Sequence, residues 1–374
     1  MLSEIKKELS TFEELAYNFA RKELAPKRNV YDRYPFGPFY YDVITKAYEI
    51  GFFSIALPED CGGTGYGLSA LSVILERISE VDASLAGVIL TNAIAQELML
   101  VSGNKKLLTE IADQAKDATS FLIAYPAFLN PAETRLKLKA AKNDEHFSLN
   151  GSMDFLVLGG IAKYAVVPAS IEGKDGYAFF FIDLSDKNIT KSNTVFSLGL
   201  HACPAVDITM TDTRAVLLGD DAGEEYFEQV SKRMCTGVSA IQCGIMKGCF
   251  EEALSYSQQR FQGGKEIIKW SGLRMLLSDM AIQTKIADMV LTSSVLGIEQ
   301  GLQQSGLYSK AGALHVSELA CELTTNGIQV LGGYGYMKDY GQEKRFRDAK
   351  QVQTFFGLVP LRKLNMVGAV LKMS

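Results

Sequence analysis

The chain has 374 residues, 47% of them hydrophobic and 22% charged, with a formal net charge of −5 and an isoelectric point near 5.5. That length allows two or three domains around a substantial core. The acidic balance excludes a general basic field for nucleic acid or anionic lipid and leaves room only for a local basic patch.

From Leu2 to about Lys116 the periodicity is helical. Ile5, Leu9, Phe12, Leu15, Ala16 and Phe19 recur at three- and four-residue steps and mark one face of a first helix. Pro26 and the cluster at 34–38 break it. Residues 40–50 read as a second helix ended by Gly51, a glycine-rich loop covers 58–67, and further helices are predicted over about 68–81 and 84–101. After Asp117 the texture changes. Short runs at 147–151, 164–167, 177–184 and 206–211 are rich in β-branched and aromatic residues, with turn signals at Asn150-Gly151 and 173–176. They predict antiparallel strands in a small sandwich or barrel. From about Gly223 the pattern is helical to the end. Residues 222–262 would form one helix about 60 Å long, with further runs over 270–304 and 310–331. Long helices with a broad apolar face need other helices to cover them. The expected fold is α+β and mostly α: an N-terminal helical domain over 1–117, a middle antiparallel β domain over 118–221, and a C-terminal helical bundle over 222–374, with no strands in the last third.

Cys61, Cys203, Cys235, Cys243, Cys249 and Cys321 form no CxxC pair and read as buried free thiols in a reducing compartment. His146, His201 and His315 lie far apart without metal-ligand spacing, so no metal site is expected. The N-terminus lacks the apolar stretch of a secretory signal. No segment reads as long and charge-free enough to span a bilayer, which makes the cytoplasm the default location.

Five stretches carry the chemistry. Residues 51–59 are followed by Gly62-Gly63-x-Gly65. Residues 76–84 close a helix. Tyr256-x-x-x-Arg260-x-x-x-Gly264-Lys265 precedes 277–281. The longest runs from Gln329 through Gly332-Gly333-Tyr334-Gly335-Tyr336 and Lys344-Arg345-Phe346-Arg347-Asp348 to Lys350. In this order the stretches closely resemble the acyl-CoA dehydrogenase family, flavoenzymes that desaturate acyl thioesters with FAD. The likeness extends over nearly the whole chain.

The resemblance implies an acyl-CoA or acyl-carrier thioester as ligand, FAD between the β domain and the bundle, and a dimer or dimer of dimers in which each FAD also touches the neighbouring subunit. The residues that the resemblance places against a neighbour's FAD are largely intact. Arg260 matches the pyrophosphate-binding arginine, with Gln262 beside it, and a guanidinium fork suits two phosphate oxygens. Gly263 stands where the family usually has phenylalanine. Gln329, Gly332 and Gly333 match a second cross-interface contact, where absent side chains admit the cofactor.

The residues facing the chain's own flavin depart from the pattern. Threonine-glutamate-proline becomes Ala124-Tyr125-Pro126, and the run after it becomes Phe128 to Pro131. Tryptophan-isoleucine-threonine becomes Phe155-Leu156-Val157, and Val157 keeps the shape of threonine without its donor. The turn whose glutamate takes the α-proton reads Phe355-Phe356-Gly357-Leu358. The family's other position for the base falls at Met234. No catalytic residue is therefore assigned, and Glu251, Glu252 and Asp339 remain acids in name only. Phe356 is expected to present its ring to a narrowed, apolar cleft. Three readings follow: a catalytically degenerate subunit of a heteromeric FAD-dependent acyl-CoA dehydrogenase; a homo-oligomeric flavoenzyme, dehydrogenase or oxygenase, with a relocated base; or a flavin-free binder of acyl-CoA or an acyl carrier.

Overall fold

In a computed structural model, which describes residues 2–33, 40–142 and 146–371, the helical first third forms α1 (Leu2–Phe19), α2 (Arg28–Tyr31), α3 (Tyr41–Glu49), α4 (Gly67–Ser79), α5 (Ala83–Val101), α6 (Lys105–Gln114) and α7 (Ala118–Phe121). The breaking cluster at 34–38 lies outside the described residues. Asp82 caps α5 by accepting a hydrogen bond from the Ser84 N–H at 2.8 Å. Helix α5 corrects one expectation, because Ala83–Val101 is long and apolar enough to cross a membrane. It is apolar all round because it runs through the core, buried along nearly its whole length.

The middle segment contributes β1 (Ile123–Ala124), β2 (Lys139–Lys142), β3 (Phe147–Val157), β4 (Tyr164–Ile171), β5 (Ala178–Asp183), β6 (Ile189–Lys191) and β7 (Ala205–Leu217). Pairings β4–β2, β2–β3, β3–β7, β7–β5 and β5–β4 close a circuit, so this is a barrel. Strand β1 is added on β4 and β6 on β7. The pairing is not wholly antiparallel. Both β1 and β2 run parallel to β4, which the long connections between them permit. Gly173 and Gly176 turn the β4–β5 hairpin at φ +77° and +84°. Asn150-Gly151 makes no turn but lies inside β3 at a bulge, where Gly151 has φ +120° and a Cβ would come within 2.2 Å of the Lys137 carbonyl.

The last part begins with α8 (Gly223–Gln259) and ends with α9 (Ser271–Glu299), α10 (Ser305–Leu331), α11 (Gln342–Val352) and α12 (Val359–Leu371). Helix α8 stops before the expected 262 because the chain turns extended at Arg260 and forms a hairpin, β8 (Phe261–Gln262) and β9 (Lys265–Glu266). The last third therefore does contain strands. Gly263 and Gly264, at φ +64° and +86°, supply the two-residue turn that favours positive φ twice. Helix α8 lies against α4 backbone to backbone: a Cβ on Gly244 would sit 2.1 Å from the Glu76 carbonyl oxygen. All six cysteines are free and buried.

A buried charge network ties the parts together. The Lys344 ammonium on α11 lies 3.0 Å from Asp82 Oδ1 and 2.6 Å from Asp348 Oδ2, and Asp348 Oδ1 accepts the Leu200 N–H at 2.8 Å. Arg347 bridges Asp32 and Glu343. His201 stands between Asp32 Oδ1, 2.9 Å from its Nδ1, and the Ser197 carbonyl, 3.0 Å from its Nε2. Two acceptors facing two ring nitrogens suit the imidazolium. Burial pulls the His201 pKa down, but Asp32 more than offsets it and the value lies above its ordinary 6.5, while Arg347 opposes the rise. Burial raises the Asp32 carboxyl, and His201, Arg347 and Lys344 hold it far below its ordinary 3.8.

The His201 contribution to stability is full below pH 6.5 and is lost as pH rises through the higher folded value, while that of Asp32 is lost only in acid. The melting temperature of the native chain should thus fall relative to His201→Gln as pH rises above 6.5. Parallel curves for the two proteins from pH 5 to 9 would contradict a protonated clasp.

Candidate functional site

The start of α8, the β4–β5 hairpin, the head of α10 and helix α12 enclose a cleft of about 1180 Å³. Its buried lining consists of Asn130, Tyr177, Phe227, Ser231, Cys235, Leu314, Phe356 and Arg362. Glu228, Lys232 and Lys310 stand on the wall, with Glu228 paired to both lysines. Asp175, Asp221, Glu224 and Glu225 line its more exposed part, where the two glutamates complement the N-terminus of α8. The expectation of a narrow apolar cleft is corrected. Its buried lining is apolar apart from Asn130, Ser231, Arg362 and the Tyr177 hydroxyl, while its walls carry charge because the polar first turns of α8 border it.

Phe356 is where the sequence placed it, with its ring turned inward. It is 2% exposed and packs edge-on to Phe227 at 6.1 Å. Its backbone is held in the left-handed region at φ +63°, with its N–H donating to the Ala127 carbonyl at 2.9 Å. Gly357 follows at φ +113°, and a Cβ there would lie 2.5 Å from Glu133 Oε2. Glu133 accepts the Leu358 N–H at 2.9 Å and Asn130 Nδ2 at 3.1 Å, which fixes the turn to the loop after β1. Met234 is buried in the core and does not line the cleft, although Cys235 beside it does. Glu251 pairs with Arg21, and Glu252 with Arg345 and Arg28. Asp339 is exposed.

The two groups of cofactor positions differ physically. Ala124 and Val157 are fully buried, and Val157 exchanges backbone hydrogen bonds with Tyr125 at 3.2 Å. Phe128 packs edge-on to Phe355 at 4.7 Å and to Phe155 at 5.4 Å, so aromatic side chains occupy this seam. Arg260, by contrast, ends α8 at the surface. Its guanidinium lies 5.4 Å from the Tyr334 ring centroid, and among the described residues no carboxylate pairs with it. Tyr256, Tyr334 and Tyr340 pack on one another and fix the Arg260 segment against the turn that follows α10. Gln329 is exposed on the last turn of α10, Gly332 has φ +58°, and a Cβ on either Gly332 or Gly333 would meet nothing within 4 Å. Gln262 and Gly263 are exposed in the hairpin, where the Gln262 carbonyl accepts Trp270 Nε1 at 3.3 Å. Its packing over Trp270 and its place in the turn account for glycine at 263.

Helices before and after a central β-barrel, with a cleft between barrel and bundle, define an acyl-CoA dehydrogenase fold. The butyryl-CoA dehydrogenase of Megasphaera elsdenii has this fold too: the structures match with a TM-score of 0.88 at 23% identity, covering 97% of this chain and 98% of that one. The family model for the acyl-CoA dehydrogenase N-terminal domain matches residues 6–112, and that for the C-terminal domain matches 226–359. The chain belongs to the acyl-CoA dehydrogenase family, whose members are FAD flavoproteins of acyl-CoA metabolism. It is 26% identical to a Mycobacterium tuberculosis protein named Probable acyl-CoA dehydrogenase FadE25, over 94% of this chain and 92% of that one. It is 25% identical to the caffeyl-CoA reductase-Etf complex subunit CarC of Acetobacterium woodii, over 96% and 97%.

Against the family's cofactor, the residues present fit in one place and not in the other. The exposed guanidinium of Arg260, without a carboxylate partner among the described residues and near two open glycines, suits a phosphate-bearing group reaching in from outside the chain. Ala124, Val157 and Phe356 offer no side-chain donor to a flavin ring. Sequence reasoning missed Glu133, Tyr177, Glu228, Lys310 and Arg362, because they lie outside the stretches that carry the resemblance. Only a lone arginine among the apolar residues of α12 could have drawn notice.

Proposed function

We propose that this chain is the catalytically degenerate subunit of a heteromeric, FAD-dependent acyl-CoA dehydrogenase. In that reading its domains are residues 1–117, 118–221 and 222–374. Arg260, Gln262, Gly263, Gln329, Gly332 and Gly333 face the FAD of a paralogous subunit, whose thioester chemistry this chain supports without a base of its own. One observation carries the reading: Arg260 and the Gly332-Gly333 turn stand open at the surface, while Ala124, Val157 and Phe356 are buried without side-chain donors. Exposed apolar side chains on α9 (Met275, Ile282, Met289) and α12 (Leu364, Val367, Leu371) suit burial by a second subunit. The similar CarC protein is itself named as a complex subunit.

A working flavoenzyme with a relocated base has less support. The cleft-wall carboxylate Glu228 is raised by burial, but Lys310 and Lys232 more than offset this and hold its pKa below the ordinary 4.5. A general base works best near the operating pH. The cleft itself favours a flavin-free acyl binder as the second reading, with an acyl-CoA or acyl-carrier thioester as ligand.

Flavin absorbance and light scattering separate these. The chain purified alone should be nearly colourless and should associate into dimers or larger species. Co-purified with a catalytic paralogue, it should form a yellow complex. One tightly bound FAD per isolated chain would overturn the subunit reading, and a colourless protein that retains acyl thioester without any paralogue would support the binder.

A further inference from the structure

Three cations are buried among the described residues: Lys344, Arg345 and Arg362. Lys344 is paired with Asp82 and Asp348, and Arg345 with Glu252. Arg362, 8% exposed, has no carboxylate partner among the described residues. Its Nη1 donates to the carbonyls of Gln353 at 3.1 Å and Phe355 at 3.0 Å, and its Nη2 lies 4.0 Å from Cys235 Sγ. Those carbonyls close the end of α11 and hold the turn that presents Phe356. They satisfy part of the guanidinium's five-donor fork and leave its full charge in place. Buried charges are ordinarily paired, because desolvation of an unpaired one is expensive.

The position of this charge gives it a use. Arg362 belongs to the cleft lining, where the other buried residues are Asn130, Tyr177, Phe227, Ser231, Cys235, Leu314 and Phe356, all neutral. It is the one charge in that buried set. On the wall, Glu228 is already engaged by two lysines, and the outer Asp221 is paired with Lys174. The inner cleft thus combines aromatic and aliphatic walls with a single fixed cation.

We propose that the cleft selects an acyl ligand bearing a free carboxylate remote from its thioester, and that Arg362 is the residue that binds this carboxylate. The assignment rests on reading the cleft as an acyl-ligand cleft, and it is independent of which subunit holds FAD. An apolar acyl chain of the same length would leave the guanidinium desolvated without a counter-ion, whereas a terminal carboxylate meets it with a charge-assisted hydrogen bond. The inner cleft then favours the charged ligand, which a wholly apolar pocket would reject because of the cost of desolvating an unpaired carboxylate.

Calorimetric titration with monomethyl glutarate tests this, since its ester stands for the thioester end and its carboxylate for the remote group. Dimethyl glutarate is the neutral control, monomethyl succinate the shorter one, and inorganic phosphate the competing anion. Monomethyl glutarate or monomethyl succinate should bind at least tenfold more tightly than dimethyl glutarate, and Arg362→Gln should remove that preference. Because Arg362 also holds the 353–357 turn, Leu314→Trp provides a second variant that fills the cleft without touching those carbonyls. It should abolish half-ester binding while leaving the circular dichroism and melting temperature unchanged. Equal binding of half-ester and diester, failure of both half-esters to bind, binding unaffected by Arg362→Gln or Leu314→Trp, or displacement by phosphate at equal concentration would each overturn the assignment. No arm reads flavin, so a failure of the subunit reading and a failure of this one are distinguishable.

Discussion

Lys344→Met is expected to lower folding stability by about 3–5 kcal/mol, the range for removing one partner from a buried ion pair. Lys344 is 4% exposed, and its ammonium stands between Asp82 at the head of α5 and Asp348 on its own helix. Methionine fills a similar volume but leaves two carboxylates facing each other out of water. One of them must then take up a proton or draw water inward. The loss falls where the first helices, the 197–203 loop between β6 and β7, and α11 converge, since Asp348 also holds the Leu200 N–H. Urea unfolding at pH 7 measures it. A second change, Asp348→Asn in the Lys344→Met background, should restore part of the stability by removing one buried charge. A loss under about 1 kcal/mol would mean that water or rearrangement solvates the carboxylates, well short of the range for an uncompensated buried charge.

Arg260→Ala should lower FAD affinity of the mixed complex by tenfold or more while leaving this subunit folded. The guanidinium is exposed, ends α8 and rests on Tyr334, with no carboxylate partner among the described residues, so its removal breaks no internal ion pair. A charge-assisted contact to a phosphate oxygen is worth roughly 1.5–3 kcal/mol, and about 1.4 kcal/mol corresponds to tenfold in affinity. Flavin content of the complex after dialysis reads the effect, with the melting temperature of the isolated variant as control. Arg260→Lys should recover the charge but not the two-pronged geometry, and should fall between the two. Full flavin retention in Arg260→Ala would remove this residue from the cofactor contact.

The sequence alone determined the order of the fold, because local period reports which face of an element is buried. The three- and four-residue steps of Leu9, Phe12, Ala16 and Phe19, and the β-branched and aromatic runs at 164–167 and 177–184, made the order of helices, β domain and bundle legible. The stretch from Gln329 to Lys350 and the motif around Arg260 likewise announced the family, and with it the family's cofactor. What the chain touches at long range was not legible. That β2 pairs with β4 in parallel, and that the pairings close a barrel, follows from contacts between residues such as Lys139 and Ser170, far apart in sequence. Asn150-Gly151 carries a hairpin signal, yet Gly151 is needed where β3 passes the Lys137 carbonyl. Gly263 looked like a departure in a cofactor motif, and the structure shows a turn under Trp270. Ala83–Val101 has the composition of a membrane span, and only the packing of α4 and α8 around it makes it a core helix. Arg362 is an ordinary surface-type residue by sequence. Its burial in the cleft lining, with no carboxylate partner among the described residues, and the meeting of His201 with Asp32 exist only because elements distant in the chain converge, and the free energy of a buried charge depends on what has converged around it.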